Sequence, residues 1–329
     1  MTDLLLLGAT GYIGSAFATE LQKRGIGFYT VSRKELDYTR FDNVWRHLRE
    51  YKPPFVVNAA GYTGKPNVDA CETERADTLI GNTLFPQSLA AACAATGTRY
   101  GHVSSGCIYS GAKILEEGVA RIEPDLTKPE LRARIDTALP QANFPLPSST
   151  LKLPLSLAGF TESDPPNFSF RFPPCSFYSG TKALAEEVMQ GLGEGYLWRL
   201  RIPFDEYDSP RNYLTKVQTY SKVYDNVNSI SHRTDFVKAC LDLWETRAPF
   251  GTYNVTNPGW ITTRYVIDKI RAILKTNRNF TFWEDDSEFY KFAKAPRSNC
   301  VMDTAKLLSA GVKIRPVEEA LNHALHNWR

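Results

Sequence analysis

Tyr178 and Lys182 form a pair whose side chains can carry acid–base chemistry. They lie four residues apart, beside a segment whose apolar residues recur at helical spacing, TKALAEEVMQGL at 181–192. On a helix, residues four apart share one face, so the ammonium favours the ionised phenol and also reaches the ribose of a bound cofactor. The pair is a candidate proton donor for a carbonyl under reduction. The alternative is a packed tyrosine beside a solvated lysine.

A hydroxyl and a thiol follow a predicted strand. The run at 100–104 leads into SSGCIY, residues 104–109, which contains Ser105 and Cys107. Because ligands of open parallel sheets bind beyond the carboxyl ends of the strands, a serine hydroxyl there can bond a substrate carbonyl oxygen. For Cys107 the alternative is a small buried apolar side chain at a strand end.

Three glycines near the N-terminus predict a phosphate site. Gly8, Gly11 and Gly14 stand between an apolar run and a helical pattern. The first permits a tight turn, the second lets the backbone approach a pyrophosphate at the helix N-terminus, and the third lets the helix pack closely on the sheet. The second predicted strand ends at Ser32-Arg33, followed by Lys34, which offers two cations and no carboxylate. NADP(H) is therefore favoured over NAD(H), unless these cations only form a solvated loop.

The elements that would position these residues alternate between strand and helix. Strand patterns at 4–7, 28–32, 55–58, 100–104 and 196–201 are separated by helical patterns at 43–51, 83–96 and 181–192. This alternation predicts an α/β fold with a Rossmann-like, doubly wound parallel sheet. We assign residues 1–200 to an NADP-binding domain with an insertion at about 110–174, and 201–329 mainly to a smaller C-terminal substrate lobe, some segments of which return to the sheet.

Composition excludes several classes of protein. The 329 residues carry a formal charge of only +3, with no basic cluster, so we expect neither a nucleic-acid nor a membrane partner. No apolar run approaches the roughly 18–20 residues that span a bilayer, and no signal region opens the chain. The six cysteines lack metal-ligand spacing, so we expect reduced thiols, a cytoplasmic location and no metal. Whether the chain forms a homodimer is left open by the sequence.

Several motifs carry a closer resemblance. The glycine motif, Ser105 and the Tyr178/Lys182 pair resemble the extended short-chain dehydrogenases/reductases over nearly the whole chain. Five further segments resemble the nucleotide-4-keto-6-deoxysugar 3,5-epimerase/4-reductases that make nucleotide-rhamnose in plants, with dTDP-4-dehydrorhamnose reductase and GDP-fucose synthase as relatives. These segments are NAAGYTGKPNVDACE (58–72), SGCIY (105–109), SPRNYLTK (209–216), YNVTNPG (253–259) and APRSN (295–299).

The resemblance implies a role for each of these residues. Ser105, Tyr178 and Lys182 would form the reductase triad, with Cys107 the epimerase base and Lys216 its acid partner. Gly106-Cys107 replaces the Asp-Glu pair that 4,6-dehydratases place after the serine, which argues against dehydration. Cys107 and Tyr178 lie 71 positions apart (178 − 107), which exceeds the spacing expected of the plant enzymes, so the exact substrate stays open.

The remaining candidates contact cofactor or substrate. Besides Tyr178 and Lys182, the residues assigned to the cofactor are Gly8, Gly11, Tyr12, Ile13, Gly14, Ser32, Arg33, Asp37, Asn58, Ala59 and Ala60. Those assigned to the nucleotide-sugar substrate are Asn67, Arg211, Asn212 and Arg297, because guanidinium groups bind phosphate oxygens in pairs. For Lys216 the alternative is a solvated or phosphate-binding lysine, and for the arginines it is structural salt bridging.

The predicted activity is NADPH-dependent reduction of the C4 ketone of a nucleotide-linked 4-keto-6-deoxy or related sugar, coupled to epimerisation at C3 and/or C5. The ketone acidifies both neighbouring C–H groups, so inversion needs a base, an acid on the opposite face and a stabiliser for the oxyanion. One alternative is a plain 4-reductase. Another is a non-catalytic, NADP-binding regulatory subunit, against which the complete triad argues.

Overall fold

The protein is described by a computed structural model that covers residues 3–65, 67–116, 119–142 and 156–329. The strands are β1 (Leu4–Leu7), β2 (Phe28–Val31), β3 (Phe55–Asn58), β4 (Arg99–Ser105), β5 (Ala112–Glu116), β6 (Val119–Glu123), β7 (Ser156–Ala158), β8 (Gly195–Leu200), β9 (Pro203–Phe204), β10 (Lys222–Val223), β11 (Val227–Asn228), β12 (Ser231–His232), β13 (Gly251–Asn254), β14 (Ile261–Thr262) and β15 (Thr281–Phe282).

The helices are α1 (Tyr12–Lys23), α2 (Phe41–Tyr51), α3 (Arg75–Leu79), α4 (Phe85–Thr96), α5 (Pro129–Ala142), α6 (Phe177–Met189), α7 (Tyr213–Thr219), α8 (Arg233–Glu245), α9 (Thr263–Leu274), α10 (Asp286–Tyr290), α11 (Ala305–Ser309) and α12 (Val317–His326). Short 3₁₀ turns cover Val68–Glu72 and Gly106–Ile108, and one π-helical turn, Ile80–Leu84, joins α3 to α4.

Six parallel strands form the central sheet in the order β13-β8-β4-β3-β1-β2. The run of leucines in β1 explains how helices cover both faces: Leu4 and Leu6 pack on one side with residues of α1, whereas Leu5 and Leu7 pack on the other with residues of α2. Successive side chains of a strand point to opposite faces, so a wholly apolar strand is typical of a sheet buried on both sides. The predicted fold class is confirmed.

A second core lies outside the sheet. It joins the short elements after residue 201, including Phe204, Leu214 and Ile267, with Ala112 and Ile114 from the predicted insertion. The insertion contributes a three-stranded antiparallel sheet in the order β6-β5-β7, and residues 143–155 within it lie outside the described part of the chain. This core packs the insertion against the lobe.

The C-terminal part of the chain also returns to the sheet. Strand β13 pairs in parallel with β8, and α8 packs beside α1, with Phe17 on Phe236 at a centroid distance of 6.3 Å. Among the described residues, no helix has the length and apolar character needed to cross a membrane.

Candidate active site

A cavity of about 520 Å³ opens at the carboxyl ends of β1, β3, β4 and β8. The strand order changes direction beside β1, which has β2 on one side and β3 on the other, and ligands of open α/β sheets bind at such a switch point. The cavity brings together thirteen of the predicted site residues: Gly11, Tyr12, Ile13, Ala59, Ala60, Asn67, Ser105, Cys107, Tyr178, Lys182, Arg211, Lys216 and Arg297.

Helix α6 positions the tyrosine–lysine pair. It begins after Ser176, whose side chain accepts a hydrogen bond from the backbone N–H of Ser179 at 3.1 Å. This cap starts the helix four residues earlier than its apolar pattern indicated, so Tyr178 lies in the first turn and Lys182 one turn later. The Lys182 ammonium donates to the carbonyl of Val103 on β4 at 3.4 Å. Both side chains thus face the end of β4.

Burial decides the protonation of Tyr178. The sequence predicts that Lys182 favours the phenolate, but in the structure desolvation dominates and raises the pKa of Tyr178 above its ordinary value. The neighbouring Cys107 raises this pKa further, whereas a hydrogen bond with Ser105 and the charge of Arg201 lower it. The predicted stabilisation of the phenolate is therefore outweighed. The phenol keeps its proton, which suits a group that donates one.

Cys107 also lies beside the Ser105 hydroxyl. The thiol is 7% exposed and shares hydrogen bonds with the hydroxyls of Ser105 and Ser179. Burial raises the pKa of Cys107, and these hydroxyls, Arg201 and Lys182 only partly oppose that rise. The pKa of this thiol is therefore not lowered, because desolvation outweighs the nearby cations.

Gly106 makes room for this arrangement. A Cβ at this position would lie 2.2 Å from Sδ of Met302, so a larger residue between Ser105 and Cys107 would displace that side chain. The backbone N–H of Cys107 donates to Oγ of Ser105 at 3.2 Å, which closes the short turn. The turn fixes the hydroxyl and the thiol next to each other at the end of β4.

Lys216 reaches the cavity from the lobe. It lies on α7, and burial, with a smaller effect of Arg211, lowers its pKa from the ordinary lysine value. Its ammonium forms neither a hydrogen bond nor an ion pair with any residue in the described ranges. The lowered pKa makes Lys216 a stronger acid than an exposed lysine.

The assignment of Asn212 to the substrate is wrong. Asn212 is completely buried and caps α7: its Oδ1 accepts from the N–H of Leu214 at 3.0 Å, and its amide donates to the carbonyls of Asp205 and Tyr207 at 2.8 and 2.7 Å. These bonds use the side chain's donors and acceptor, and Asn212 does not line the cavity. Its contribution is to position the helix that carries Lys216.

The glycine turn has the shape that a pyrophosphate requires. Gly8 has φ = +79°, and a Cβ there would lie 2.6 Å from the backbone nitrogen of Ala60. A Cβ at Gly14 would lie 1.9 Å from the carbonyl oxygen of Gly8, so only glycine permits this contact between helix and turn. Gly11 immediately precedes α1, whose first turn carries no acidic residue. The N-terminus of α1 is thus open to an anion, and the residues present fit the phosphates of a dinucleotide.

Asn58 stabilises the loop that packs against this turn. It is fully buried, its Oδ1 accepts from the N–H of Ala60 at 3.0 Å, and its amide lies 3.0 Å from Nδ1 of His102. Asn58 does not itself line the cavity. It positions the loop at Ala59 and Ala60, which does. His102 is buried as well, and burial with the nearby Lys182 holds its pKa well below the ordinary range.

The end of β2 differs from its sequence-based description. Ser32, Arg33 and Asp37 are exposed and do not border the cavity, and the carboxylate of Asp37 accepts from the hydroxyl of Thr39 at 2.5 Å. Glu35 folds back so that its carboxylate accepts from the N–H of Ser32 at 2.7 Å. Residues 32–34 contain no carboxylate, so the folded chain brings one to this strand end from Glu35. The two cations at 33 and 34 therefore share the strand end with one anion.

The substrate arginines have different partners. Arg297 forms a two-pronged ion pair with Asp69, with N···O distances of 2.5 and 2.9 Å, whereas Arg211 donates to the hydroxyl of Thr63 at 3.0 Å. Asn67 caps the turn at Val68–Glu72 by accepting from the N–H of Asp69. Four of these residues line the cavity: Thr63, Asn67, Arg211 and Arg297. Arg211 pairs with no carboxylate in the described chain, whereas Asp69 already neutralises Arg297.

Sequence reasoning missed Arg201 and Ser179. Both line the cavity beside Cys107, one at the end of β8 and one in the first turn of α6. Ser179 directly follows Tyr178, and Arg201 is the last residue of a predicted strand. Their positions in the sequence were the only indication that either residue lies in the site. No cluster of potential metal ligands occurs in the described ranges, and the six cysteines are free thiols.

The chain matches known proteins over its whole length. Residues 1–130 match the family model described as the RmlD substrate binding domain. A bifunctional dTDP-4-dehydrorhamnose 3,5-epimerase/dTDP-4-dehydrorhamnose reductase of Arabidopsis thaliana is 29% identical over 323 residues, covering 97% of this chain and 91% of that protein. The resemblance predicted from the motifs is confirmed. The chain spans about 40% of the length of three trifunctional Arabidopsis thaliana proteins that combine UDP-glucose 4,6-dehydratase, epimerase and reductase activities.

Solved structures show the same fold. The L780 UDP-rhamnose synthase of Acanthamoeba polyphaga mimivirus superposes with a TM-score of 0.78 at 24% identity, over 99% of each chain. The dTDP-4-dehydrorhamnose reductase of Bacillus anthracis, solved with NADP, has a TM-score of 0.71 at 18% identity, over 100% of this chain and 99% of that one. These likenesses show a Rossmann-type fold, and the sequence relatives support an oxidoreductase enzyme.

Proposed function

We propose that this protein reduces the C4 ketone of a nucleotide-linked 4-keto-6-deoxy sugar, and that it first inverts C3 and/or C5. One observation carries the proposal. A single cavity is lined by Ser105, Tyr178, Cys107, Lys182 and, from the lobe, Lys216, and Ser105 shares hydrogen bonds with both Tyr178 and Cys107. A reductase alone needs only Ser105, Tyr178 and Lys182. The thiol and the second lysine are what epimerisation adds.

In the reduction, the residues of α6 and β4 handle the ketone oxygen. A bound nicotinamide cofactor supplies the hydride. The Ser105 hydroxyl donates a hydrogen bond to the oxygen, and Tyr178 gives that oxygen its proton as the C4–H bond forms. Lys182 lies one helical turn away and stabilises the phenolate that remains. Because burial keeps Tyr178 protonated beforehand, the donor is ready before the charge develops.

In the epimerisation, Cys107 and Lys216 act on opposite sides of the sugar. The thiolate of Cys107 takes the proton from the carbon next to the ketone, and the electron pair of that C–H bond passes to the ketone oxygen, forming an enolate. Lys216 then returns a proton to the other face as the enolate reverts to the ketone, leaving a neutral amine. A thiol and an amine remain, and proton exchange with water restores the starting pair.

The cofactor we propose is NADP(H). Arg33 and Lys34 lie at the end of β2, where the 2′ position of the adenosine ribose falls in this fold, and two cations favour a 2′-phosphate there. Gly11, Tyr12, Ile13 and Ala59 would hold the rest of the dinucleotide along the carboxyl ends of β1 and β3. The free thiols suit a reducing compartment, which supports a cytoplasmic location.

The substrate's diphosphate would lie at the mouth of the cavity. Arg211 has no ion pair within the described residues, so its guanidinium is available to phosphate oxygens. Arg297 already forms an ion pair with Asp69, which largely neutralises its charge. Its main role is therefore to hold the mouth of the cavity in place and not to bind the diphosphate. Asn67 also lines the cavity and adds a polar side chain to it.

The deciding experiment is turnover in D₂O. The protein, NADPH and a nucleotide-linked 4-keto-6-deoxy sugar are incubated together, and deuterium at C3 and C5 of the product is measured by NMR. We expect deuterium at one or both carbons and stoichiometric NADPH consumption. Reduction without deuterium would remove the epimerase half of the proposal. Failure to consume NADPH with UDP-, dTDP-, GDP- or CDP-linked substrates would remove the whole.

A plain 4-reductase is the second candidate, and one observation favours it. Burial raises the pKa of Cys107, which leaves little thiolate in the resting site. The same experiment separates the two functions, because a plain reductase consumes NADPH and incorporates no deuterium at C3 or C5.

A further inference from the structure

A guanidinium is buried next to the proposed base. Arg201 follows β8, lines the cavity and is only 6% exposed. One of its terminal nitrogens, Nη2, donates to Oδ1 of Asn228 at 2.6 Å and to the carbonyl of Ser298 at 2.5 Å. These neutral acceptors hold the group in place without cancelling its charge.

Arg201 is unusual because it has no carboxylate partner among the residues that the structure describes. Within the described ranges it forms no ion pair, and its Nε is buried without a hydrogen-bond partner. Arg199, two residues earlier and equally buried, is paired with Glu186 at 2.7 Å. Burying an unpaired charge opposes folding, so a cation in this condition needs an anion that arises during function.

The strand register brings Arg201 close to the turn that carries Cys107. Ser105 of β4 pairs with Leu200 of β8, so the residues that follow them, Gly106 and Arg201, lie side by side. A Cβ on Gly106 would lie 3.5 Å from Cδ of Arg201. The guanidinium therefore lies along the turn that carries Cys107, and its charge opposes the effect of burial on the pKa of that thiol.

We propose that Arg201 is the cation that stabilises the Cys107 thiolate, and so acts as a positioning residue for proton abstraction. The consequence for catalysis rests on the function proposed above, whereas the effect on the thiol does not. The resting thiol is mostly protonated; when it gives its proton to water, the thiolate that forms gains the attraction of the guanidinium. That attraction is strong because the site is largely closed to solvent.

Other groups also face the thiol, and the test must separate them. They are Tyr178 and Lys182 of α6, the hydroxyls of Ser105 and Ser179, and the thiols Cys175 and Cys300. Of these, only Lys182 is a cation. Lys182 also has a role in the reduction, so Arg201 is the cation to replace. Its charge also lowers the pKa values of Tyr178 and Cys300, so the titration is read at Cys107 itself.

The experiment titrates Cys107 directly. The full-length protein is alkylated with iodoacetamide between pH 6 and 10, and the rate at Cys107 is followed by peptide mass spectrometry. In Arg201→Met, which keeps an unbranched apolar stem and removes the charge, we expect the apparent pKa of Cys107 to rise by about one unit or more. Arg201→Lys restores the charge and should recover much of that shift. Arg211→Met removes a cation from the mouth of the same cavity and should leave the titration unchanged.

A second variant tests the same idea with Arg201 in place. Asn228→Asp places a carboxylate on the guanidinium through the hydrogen bond already present at 2.6 Å. Pairing the cation in this way should also raise the apparent pKa of Cys107. If both Arg201→Met and Asn228→Asp titrate as the wild type does, the proposal is wrong. Should Arg201→Met fail to fold, the Asn228→Asp titration alone decides it.

Stability gives an independent readout. If Arg201 has only a structural role, Arg201→Met should melt at a lower temperature and leave the thiol titration alone. We expect the opposite pattern, a melting temperature equal to or above that of the wild type with a shifted thiol, because the variant removes an unpaired buried charge. A lower melting temperature with an unshifted thiol overturns the proposal.

Turnover in D₂O then separates this proposal from the proposed function. If wild-type protein incorporates deuterium at C3 or C5, Arg201→Met should slow that incorporation by about tenfold at neutral pH, in line with a one-unit shift of the thiol. If the wild type incorporates none while the titration shifts as expected, the epimerase function fails and the role of Arg201 stands.

Discussion

The cavity has two walls that are built in different ways. The sheet wall carries Ser105, Cys107, Tyr178 and Lys182 on the end of β4 and the first turns of α6. The lobe wall carries Lys216, Arg211 and Arg297 on the seven-residue α7 and on connecting segments. Long packed elements hold the first set, whereas an asparagine cap and an ion pair hold the second.

The difference extends to electrostatics. On the sheet wall, burial raises the pKa values of Tyr178 and Cys107, so both groups keep their protons in the resting site. On the lobe wall, burial lowers the pKa of Lys216, so its ammonium gives up a proton more readily than an exposed lysine. The same desolvation thus prepares acids on both walls, because it disfavours whichever form is charged. We therefore expect the sheet wall to dominate reduction and the lobe wall to act on inversion and substrate binding.

The largest expected effect comes from the proton donor of the sheet wall. Tyr178→Phe should slow NADPH oxidation by about 10³-fold, because the developing alkoxide loses its proton source. Deuterium exchange into the 4-keto substrate should persist, since Cys107 and Lys216 remain. Stopped-flow absorbance at 340 nm and NMR measure the two rates. Tyr51→Phe, an exposed tyrosine on α2, is the control. Retained reduction by Tyr178→Phe would contradict the role of Tyr178.

The next largest effect separates epimerisation from reduction among the residues of the sheet wall. Cys107→Ser should slow deuterium incorporation by about 10²-fold, because a serine hydroxyl is a much weaker acid than a thiol and yields almost no anion near neutral pH. Reduction of a substrate that is already inverted should stay within about threefold of the wild type. Cys175→Ser, which alters a half-buried thiol outside the cavity lining, is the matched control. Equal losses of both activities would mean that Cys107 is not the base.

A smaller effect concerns the cofactor end of the sheet wall. Arg33→Ala should weaken NADPH binding by about tenfold and leave NADH binding unchanged, because only the former carries a 2′-phosphate. Fluorescence titration of the reduced cofactors measures both affinities. Arg46→Ala removes an exposed cation from α2 and should change neither. An equal effect on the two cofactors would remove the basis for the proposed NADP preference.

The smallest effect tests the lobe wall through its pH dependence. Arg211 lowers the pKa of Lys216, since a nearby cation disfavours the ammonium. Arg211→Met should raise that pKa, so the alkaline limb of the deuterium-exchange profile moves to higher pH by roughly half a unit. Arg264→Met, at an exposed arginine elsewhere in the lobe, should leave the limb where it is. A shift to lower pH would show that another group controls the limb.

The two walls also differ in how far the sequence predicts them. The glycine turn, the strands and the pairing of Tyr178 with Lys182 depend on spacings of a few residues, and the structure confirms the fold that those spacings predict. Asn212 shows the limit. Its neighbourhood resembles a phosphate site in sequence, yet the side chain caps α7, because only the folded loop shows where its hydrogen bonds go.

The sequence by itself determined which local elements form and which side chains share a helix face, since periodicity is written into neighbouring residues. Only the tertiary structure decided the charge of the site. The pKa of Cys107 rises and not falls, Glu35 turns back onto Ser32, and Arg201 lies beside Gly106, because each depends on segments far apart in the chain. Desolvation and strand register are properties of the packed molecule, and they arise only when β4, β8, α6 and the lobe meet.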